Sequence, residues 1–344
     1  MDIQVDNTIH LKSTSKGEME KALAAGVTLP LVPLALGMEC TASEGEMNSN
    51  FFATLDRGYT PINDFLWKEG GKEVCLVGAG PSLKETHKEL IELGHDICAV
   101  NSGIKFLVGK NIIPKYAMLW DASEIVKNFV VPHPEITYLV ASRCHPEVFE
   151  RLKDCKVVVW HANGDHNILE IMNRPEVTSR QKVEEPLING GSAGITRGIY
   201  LMANLGYKKI HLFGADASYL DDKTHVMGSL VYEKDIMVSI GNNPPRFFRT
   251  TPEFCAQVEE YKSIFTLFVV HCCNELVVHG DGMLPHMHRV MEAKLELQGK
   301  EKFIQSMMES VLQDHKLNES ASKVCTPEMY RPSTKTQPLE VTDG

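Results

Sequence analysis

The chain has 344 residues, 43% hydrophobic and 23% charged, which suits a globular protein with one large α/β domain plus extensions, or with two small domains. A formal net charge of −10 argues against a general electrostatic hold on nucleic acid. No apolar run reaches membrane-spanning length, and the acidic start Met1-Asp2-Ile3-Gln4-Val5-Asp6 is unlike a secretory signal, so the expected location is the cytoplasm, without membrane contact.

Residues 1–70 show no clear period and read as a partly irregular N-terminal extension, with Pro30 and Pro33 breaking the apolar run Leu29–Leu36. From there strand and helix alternate. Val74–Gly78 reads as a buried strand, Ser82–Leu93 as an amphipathic helix capped by Ser82 and ended by Gly94, and Asp96–Asn101 as a second strand. Ile104–Val108 follows as a short helix, then strands Tyr116–Asp121, Ile136–Ala141 and Lys156–His161, with a helix His145–Leu152 before the last. Residues 162–190 are polar and read as a loop or small cap. A helix runs from Gly190-Gly191-Ser192-Ala193-Gly194 to Leu205, and Lys209–Gly214 is the sixth strand. An insertion over 217–250 holds a predicted hairpin, Leu230–Ile240 with Arg246–Thr250; helix Pro252–Phe268 and strand Glu275–His279 follow. A charged helix is expected over Met287–Leu312, and a disordered polar tail over 318–344.

This alternation predicts an α/β, Rossmann-like fold: a mostly parallel sheet with helices on both faces, spanning 71–290, with insertions at about 162–190 and 217–250 and a C-terminal helix over 291–317. Nine cysteines without a C-x-x-C pattern, Cys75 and Cys98 among them inside apolar runs, read as reduced, buried thiols. His211, also in an apolar strand, reads as a satisfied core or edge residue.

Ligands of open parallel sheets bind beyond the carboxyl ends of the strands. Here those ends are small or polar: Gly78-Ala79-Gly80-Pro81-Ser82, Asn101, Asp121, Asp216 and His279-Gly280-Asp281. Glycines let a backbone approach a phosphate, and a helix N-terminus offers unpaired N–H groups, so the turn before Ser82 and the one at Gly191, Ser192 and Gly194 are candidate anion sites. Each has a structural alternative: helix–strand packing for the glycines, helix capping for Asn101, Asp121 and Asp216. Asn101 stands where a dinucleotide-binding domain carries an acid for the ribose, which argues against a nicotinamide cofactor. Asp121, Asp216 and Asp281 are candidate Mg²⁺ ligands with a bound phosphate, and His225, in the insertion after Asp216, is a candidate general acid or base.

The order Val77-Gly78-Ala79-Gly80-Pro81-Ser82-Leu83, Asn101, Trp120-Asp121, Gly190-Gly191-Ser192-Ala193-Gly194, Leu205-Gly206-Tyr207-Lys208 through Gly214-Ala215-Asp216, and Val278-His279-Gly280-Asp281 resembles the 6-hydroxymethylpterin diphosphokinase MptE-like family over roughly residues 70–290. The resemblance is to a branch found in bacteriophages and prophages. It implies a nucleotide on Gly78, Ala79, Gly80, Pro81, Ser82, Asn101, Gly191, Ser192 and Gly194. The implied reaction is Mg²⁺-assisted phosphoryl or diphosphoryl transfer from ATP to an acceptor alcohol, with Asp121 and Asp216 as catalytic residues; His225, read from its place in the insertion, is the nearest candidate for a catalytic histidine. The family is related to motility-associated-factor glycosyltransferases and similar to a bacterial sialyltransferase family. A glycosyltransferase using a CMP- or UDP-sugar is therefore an alternative reading, and a non-catalytic nucleotide-binding phage accessory protein a further one. Where the diphosphokinase pattern has Asn after His-Gly-Asp, this chain has Gly282.

Overall fold

The apolar runs become strands, and every pairing within the main sheet is parallel. The computed structural model describes residues 42–164, 167–181, 183–227, 236–241, 246–271, 274–307 and 309. In chain order the sheet strands are β1 (Thr60–Pro61), β2 (Glu73–Val77), β3 (Asp96–Val100), β4 (Tyr116–Leu119), β5 (Thr137–Ala141), β6 (Lys156–Ala162), β7 (Leu187–Ile188), β8 (Lys209–Phe213) and β11 (Glu275–Val278). They lie in the order β1-β6-β5-β4-β3-β2-β8-β11, with β7 also paired to β6. Central strands such as β2 and β5 are buried almost throughout, as parallel strands covered on two faces must be.

From β2 the chain steps outward through α2 (Leu83–Leu93), β3, α3 (Gly103–Gly109), β4, β5, α4 (Pro146–Arg151) and β6. Helix α7 (Gly194–Leu205) then carries it back across the sheet to β8, on the other side of β2. Right-handed crossovers in opposite directions put their helices on opposite faces. Gly198 of α7 lies so close to β2 that a Cβ there would meet both Leu76 methyls at 3.0 Å. The reversal between β2 and β8 opens a crevice at their carboxyl ends.

Two regions carry more regular structure than expected. Within the N-terminal extension, α1 (Glu44–Arg57) begins with a full capping box, Ser43 Oγ accepting from the Glu46 N–H while Glu46 Oε2 accepts from the Ser43 N–H at 2.7 Å. The loop or small cap expected over 162–190 holds α5 (Ile168–Met172), α6 (Pro175–Thr178) and β7. Its Ile168, Ile171, Met172 and Val177 bury against Phe51 and Leu55 of α1, forming a second small core. The hairpin is β9 (Ile236–Ile240) against β10 (Arg246–Thr250), antiparallel; its expected start near Leu230, the Leu29–Leu36 run and the tail from 318 lie outside the described residues.

Helix α8 spans Pro252–His271 and α9 spans Met283–Gln298, which starts earlier than the periodicity suggested. Pro285 is tolerated in the first turn, and Ser218 Oγ and the Asp216 carbonyl accept from the N–H groups of Met283 and Leu284, at 3.0 and 3.1 Å. The chain divides into two compact units, Met1–Ala293 and Lys294–Gly344; the second contains the end of α9 and helical residues 300–307. Among the described residues no helix is long and apolar enough to cross a membrane. Cys75, Cys98, Cys144, Cys155 and Cys255 are free thiols, and burial pushes Cys75 up to about 12.

Candidate functional site

The turn after β2 and the turn after β8 meet backbone to backbone. Gly78 N–H donates to the Phe213 carbonyl at 2.8 Å and Gly80 N–H to the Gly214 carbonyl at 2.7 Å. A Cβ on Gly78 would lie 2.6 Å from the Gly214 oxygen; one on Gly80 would lie 2.7 Å from that oxygen and 2.2 Å from Asp216 Oδ2. What forbids side chains here is the neighbouring strand end, rather than the approach of a ligand.

The amino end of α2, expected to take a phosphate, holds a carboxylate of the chain itself. Ser82 is helical (φ −63°, ψ −20°) and its side chain makes no capping bond. Its N–H donates instead to Asp216 Oδ2 at 2.9 Å. Asp216 is 2% exposed, and its Oδ1 and the Ser82 hydroxyl are buried without a hydrogen-bond partner. Burial drives the Asp216 carboxyl above its usual range; Ser82 offsets this in part, and the charge of Asp281 adds to it.

The second expected anion site is filled in the same way. Glu260, from α8, accepts from the Ser192 N–H at 2.8 Å and from the Ser192 hydroxyl through Oε1, and from the Thr196 hydroxyl at 2.8 Å through Oε2. A Cβ on Gly191 would lie 2.2 Å from that second oxygen. Glu260 was not legible in the sequence as a partner of this turn, because it approaches from a helix more than sixty residues away.

Between these turns lies a cavity of about 520 Å³. Gly78, Ala79, Gly80, Asn101, Asp121, Gly194, Asp216 and His225 line it, joined by Ser102, Thr224 and Gln257 and by an apolar wall of Ile125, Phe129, Met227 and Phe254. None of the described lining residues is Lys or Arg. Of the residues singled out in the sequence, Pro81, Ser82, Gly191 and Ser192 are not among the lining residues. The apolar wall was not anticipated, since no motif marks those side chains.

Several lining polar groups also hold the frame. Asn101, at φ +46°, donates from Nδ2 to the Trp120 carbonyl at 3.1 Å and accepts from the Trp120 N–H at 3.0 Å, clamping the end of β3 to that of β4. Asp121 Oδ1 accepts from the N–H and hydroxyl of Ser123 at 2.8 and 2.7 Å; its Oδ2 makes no hydrogen bond among the described residues. His225 is fixed over the glycine turn by the next residue, whose N–H donates to the Ala79 carbonyl at 2.8 Å. Burial pulls the His225 imidazole below its ordinary value, which favours the neutral base.

Asp281 is not part of this cavity. Arg246 grips its two oxygens at 2.7 Å each and Arg289 approaches at 3.3 Å, so its carboxyl is held low, mainly by Arg246. Asp121, Asp216 and Asp281 therefore do not form the expected three-carboxylate metal set. With one Asp216 oxygen on α2 and the other buried, Asp121 is the lining carboxylate with a free oxygen. One carboxylate together with substrate phosphates is a normal Mg²⁺ environment, so Asp121 fits that ion; Asp281 lies outside the cavity, and Asp216 lines it with one oxygen held by the Ser82 N–H.

The chain is similar in structure to the MAf glycosyltransferase from Magnetospirillum magneticum AMB-1, at 16% identity and a TM-score of 0.47, over 78% of this chain and 42% of that one. It thus spans less than half of that protein. A mammalian sialyltransferase solved with Gal-beta-1-3GalNAc-ortho-nitrophenol aligns at 12% identity and a TM-score of 0.33, over 72% of this chain and 92% of that one. No curated protein matches the sequence. Residues 49–222, from α1 through the turn beyond β8, match the family described as 6-hydroxymethylpterin diphosphokinase MptE-like, and the chain belongs to that family.

Proposed function

We propose that this protein is a nucleotide-dependent transferase that holds a nucleoside phosphate in the cavity at the β2–β8 reversal and passes a phosphoryl or diphosphoryl group to an acceptor alcohol with Mg²⁺. The observation that carries the reading is the charge of the cavity: among the described residues it is lined by acids and by no Lys or Arg. A polyphosphate entering it needs an accompanying cation, and Asp121 Oδ2 is the group available to hold one. Mg²⁺ bound there would neutralise charge on the phosphate oxygens, which is most of what phosphoryl transfer requires.

The chain's own residues supply the rest. Gly194 lines the cavity at the start of α7, where Glu260 holds the Ser192 N–H and the later N–H groups of the first turn lack intrahelical partners, so phosphate oxygens would rest there rather than on α2. Ile125, Phe129, Met227 and Phe254 offer an apolar face to a base or pterin ring. His225, kept neutral by burial, would take the proton of the attacking hydroxyl.

One feature favours a second reading, glycosyl transfer from a CMP- or UDP-sugar: a single free carboxylate with a neutral histidine suits deprotonation of an acceptor hydroxyl without metal. A thermal-shift screen with ATP, CMP-sugar, UDP-sugar and a pterin alcohol, each with Mg²⁺ or with chelator, separates the two. Stabilisation by ATP only with Mg²⁺ supports phosphoryl transfer, and chelator-resistant stabilisation by a nucleotide sugar supports glycosyl transfer. If no nucleotide raises the melting temperature, both readings fall.

A further inference from the structure

At the other rim of the sheet, three side chains from three separate segments converge. Glu73 opens β2, His95 follows the left-handed Gly94 that ends α2, and His211 lies inside β8. Glu73 Oε2 is 2.9 Å from His211 Nε2 and 3.2 Å from His95 Nε2. The three ligand atoms lie within 4.8 Å of one another, the one such trio of His, Cys, Asp or Glu among the described residues. The line of contacts continues past His211 and back out to solvent: His211 Nδ1 is 3.1 Å from His279 Nε2, and His279 Nδ1 is 2.8 Å from Glu89 Oε1, whose side chain is exposed.

Counting protons along this line exposes a deficit. The three junctions Glu89–His279, His279–His211 and His211–Glu73 each join atoms that accept unless a proton lies between them. Two neutral imidazoles carry two N–H protons. If His279 donates to Glu89 and His211 donates to His279, the His211 Nε2 lone pair faces the Glu73 carboxylate with nothing between them. An ion coordinated by His211 Nε2 and Glu73 Oε2 would fill that junction. Lys209, the nearby cation, is engaged by Glu275 at 3.0 Å.

We propose that Glu73, His95 and His211 form a binding site for a first-row divalent ion of the Zn²⁺ class, separate from the candidate transferase cavity. Two imidazoles and one carboxylate suit Zn²⁺ and leave a fourth position for water. Tetrahedral bonds of about 2.1 Å place ligand atoms about 3.4 Å apart, so the observed contacts accommodate an ion after small side-chain shifts. Metal on His211 Nε2 fixes the tautomer that the remaining contacts require, with His211 donating to His279 and His279 to Glu89. That relay is the outer hydrogen bonding that metal-bound histidines ordinarily have. His211 is 7% exposed, whereas His95 and Glu73 are 28% and 37% exposed at the side chain, which gives the ion a path from solvent. Bound there, it would tie the end of α2 to β2 and β8.

The test titrates the full-length, chelator-stripped chain with Zn²⁺ against a chromophoric chelator, beside Glu73→Gln and His95→Gln. Both positions are open enough to solvent for the variants to fold, which apo melting curves check. The expected result is one Zn²⁺ per wild-type chain, an affinity loss of at least ~100-fold in either variant, and a ~10–100-fold loss in Glu89→Gln through the outer contact. Zn²⁺ should raise the wild-type melting temperature and leave the two ligand variants unchanged. Co²⁺ should give nitrogen–oxygen d–d bands without thiolate charge transfer. Absence of binding in the wild type, equal binding in the variants, or thiolate bands would overturn the proposal.

Discussion

Replacing Gly80 with alanine tests whether the glycine turn exists for packing or for ligand. The new Cβ would meet Asp216 Oδ2 at 2.2 Å, its Cγ at 2.9 Å and the Gly214 carbonyl at 2.7 Å. The carbonyl cannot retreat easily, because it accepts the Gly80 N–H and belongs to the turn after β8. Asp216 can retreat only by releasing the Ser82 N–H. Overpacking of this kind costs about 1–3 kcal/mol, and losing a hydrogen bond to a charged acceptor about 1.5–3 kcal/mol more. The expected loss is therefore about 3–5 kcal/mol, or roughly 6–10 °C in melting temperature at about 2 °C per kcal/mol. The control is Gly109→Ala, where a Cβ meets nothing within 4 Å and helix propensity predicts no loss or a gain of up to about 1 kcal/mol. Both are measured by thermal and urea unfolding without ligand. If Gly80→Ala melts within a degree of wild type while nucleotide binding disappears, the packing argument is wrong and the glycine serves the ligand.

Further outcomes follow from the same geometry. Asp216→Asn should gain stability over wild type as pH rises above the ordinary carboxyl value of 3.8, because a carboxyl raised by burial favours the fold when protonated and disfavours it once ionised; unfolding curves from pH 4 to 8 would refute this by staying parallel. Glu69, buried but bonded by Lys115, Lys72 and Tyr116, is drawn down to about 2, so wild-type stability worth about 2–3 kcal/mol should vanish between pH 4.5 and 2, and Glu69→Gln should show a smaller loss over that range. Glu260→Ala should cost about 1 kcal/mol by uncapping α7, and added phosphate should recover part of it by entering the vacated position, read as a phosphate-dependent rise in melting temperature absent from wild type. His225→Gln should slow turnover by about 10²–10⁴-fold, with the wild-type rate falling only below the histidine's ordinary 6.5 as the lowered imidazole takes up a proton.

The strand–helix alternation, the parallel sheet and the rim on which the cavity lies were legible in the sequence, since each rests on local patterning: short apolar runs, glycine after helices, polar residues at strand ends. Helix α1 was not read in the sequence, because the irregular stretch around it hid its start at Ser43. The candidate cavity residues Gly78, Asn101, Asp121 and His225 come together because the crossover topology brings their strand ends and loops to one crevice. Tertiary structure alone decided which neighbour each polar group meets. Asp216 and Glu260 cap α2 and α7 from 134 and 68 residues away, and no local pattern records such a pairing. Asp281 left the acids it was grouped with because Arg246, on a hairpin inserted between, reaches it first. His211, read as a satisfied strand residue, joins Glu73 and His95 only because β8 crosses back to lie beside β2. Sequence fixes what each segment can become; which side chains end as neighbours depends on the order of strands in the sheet.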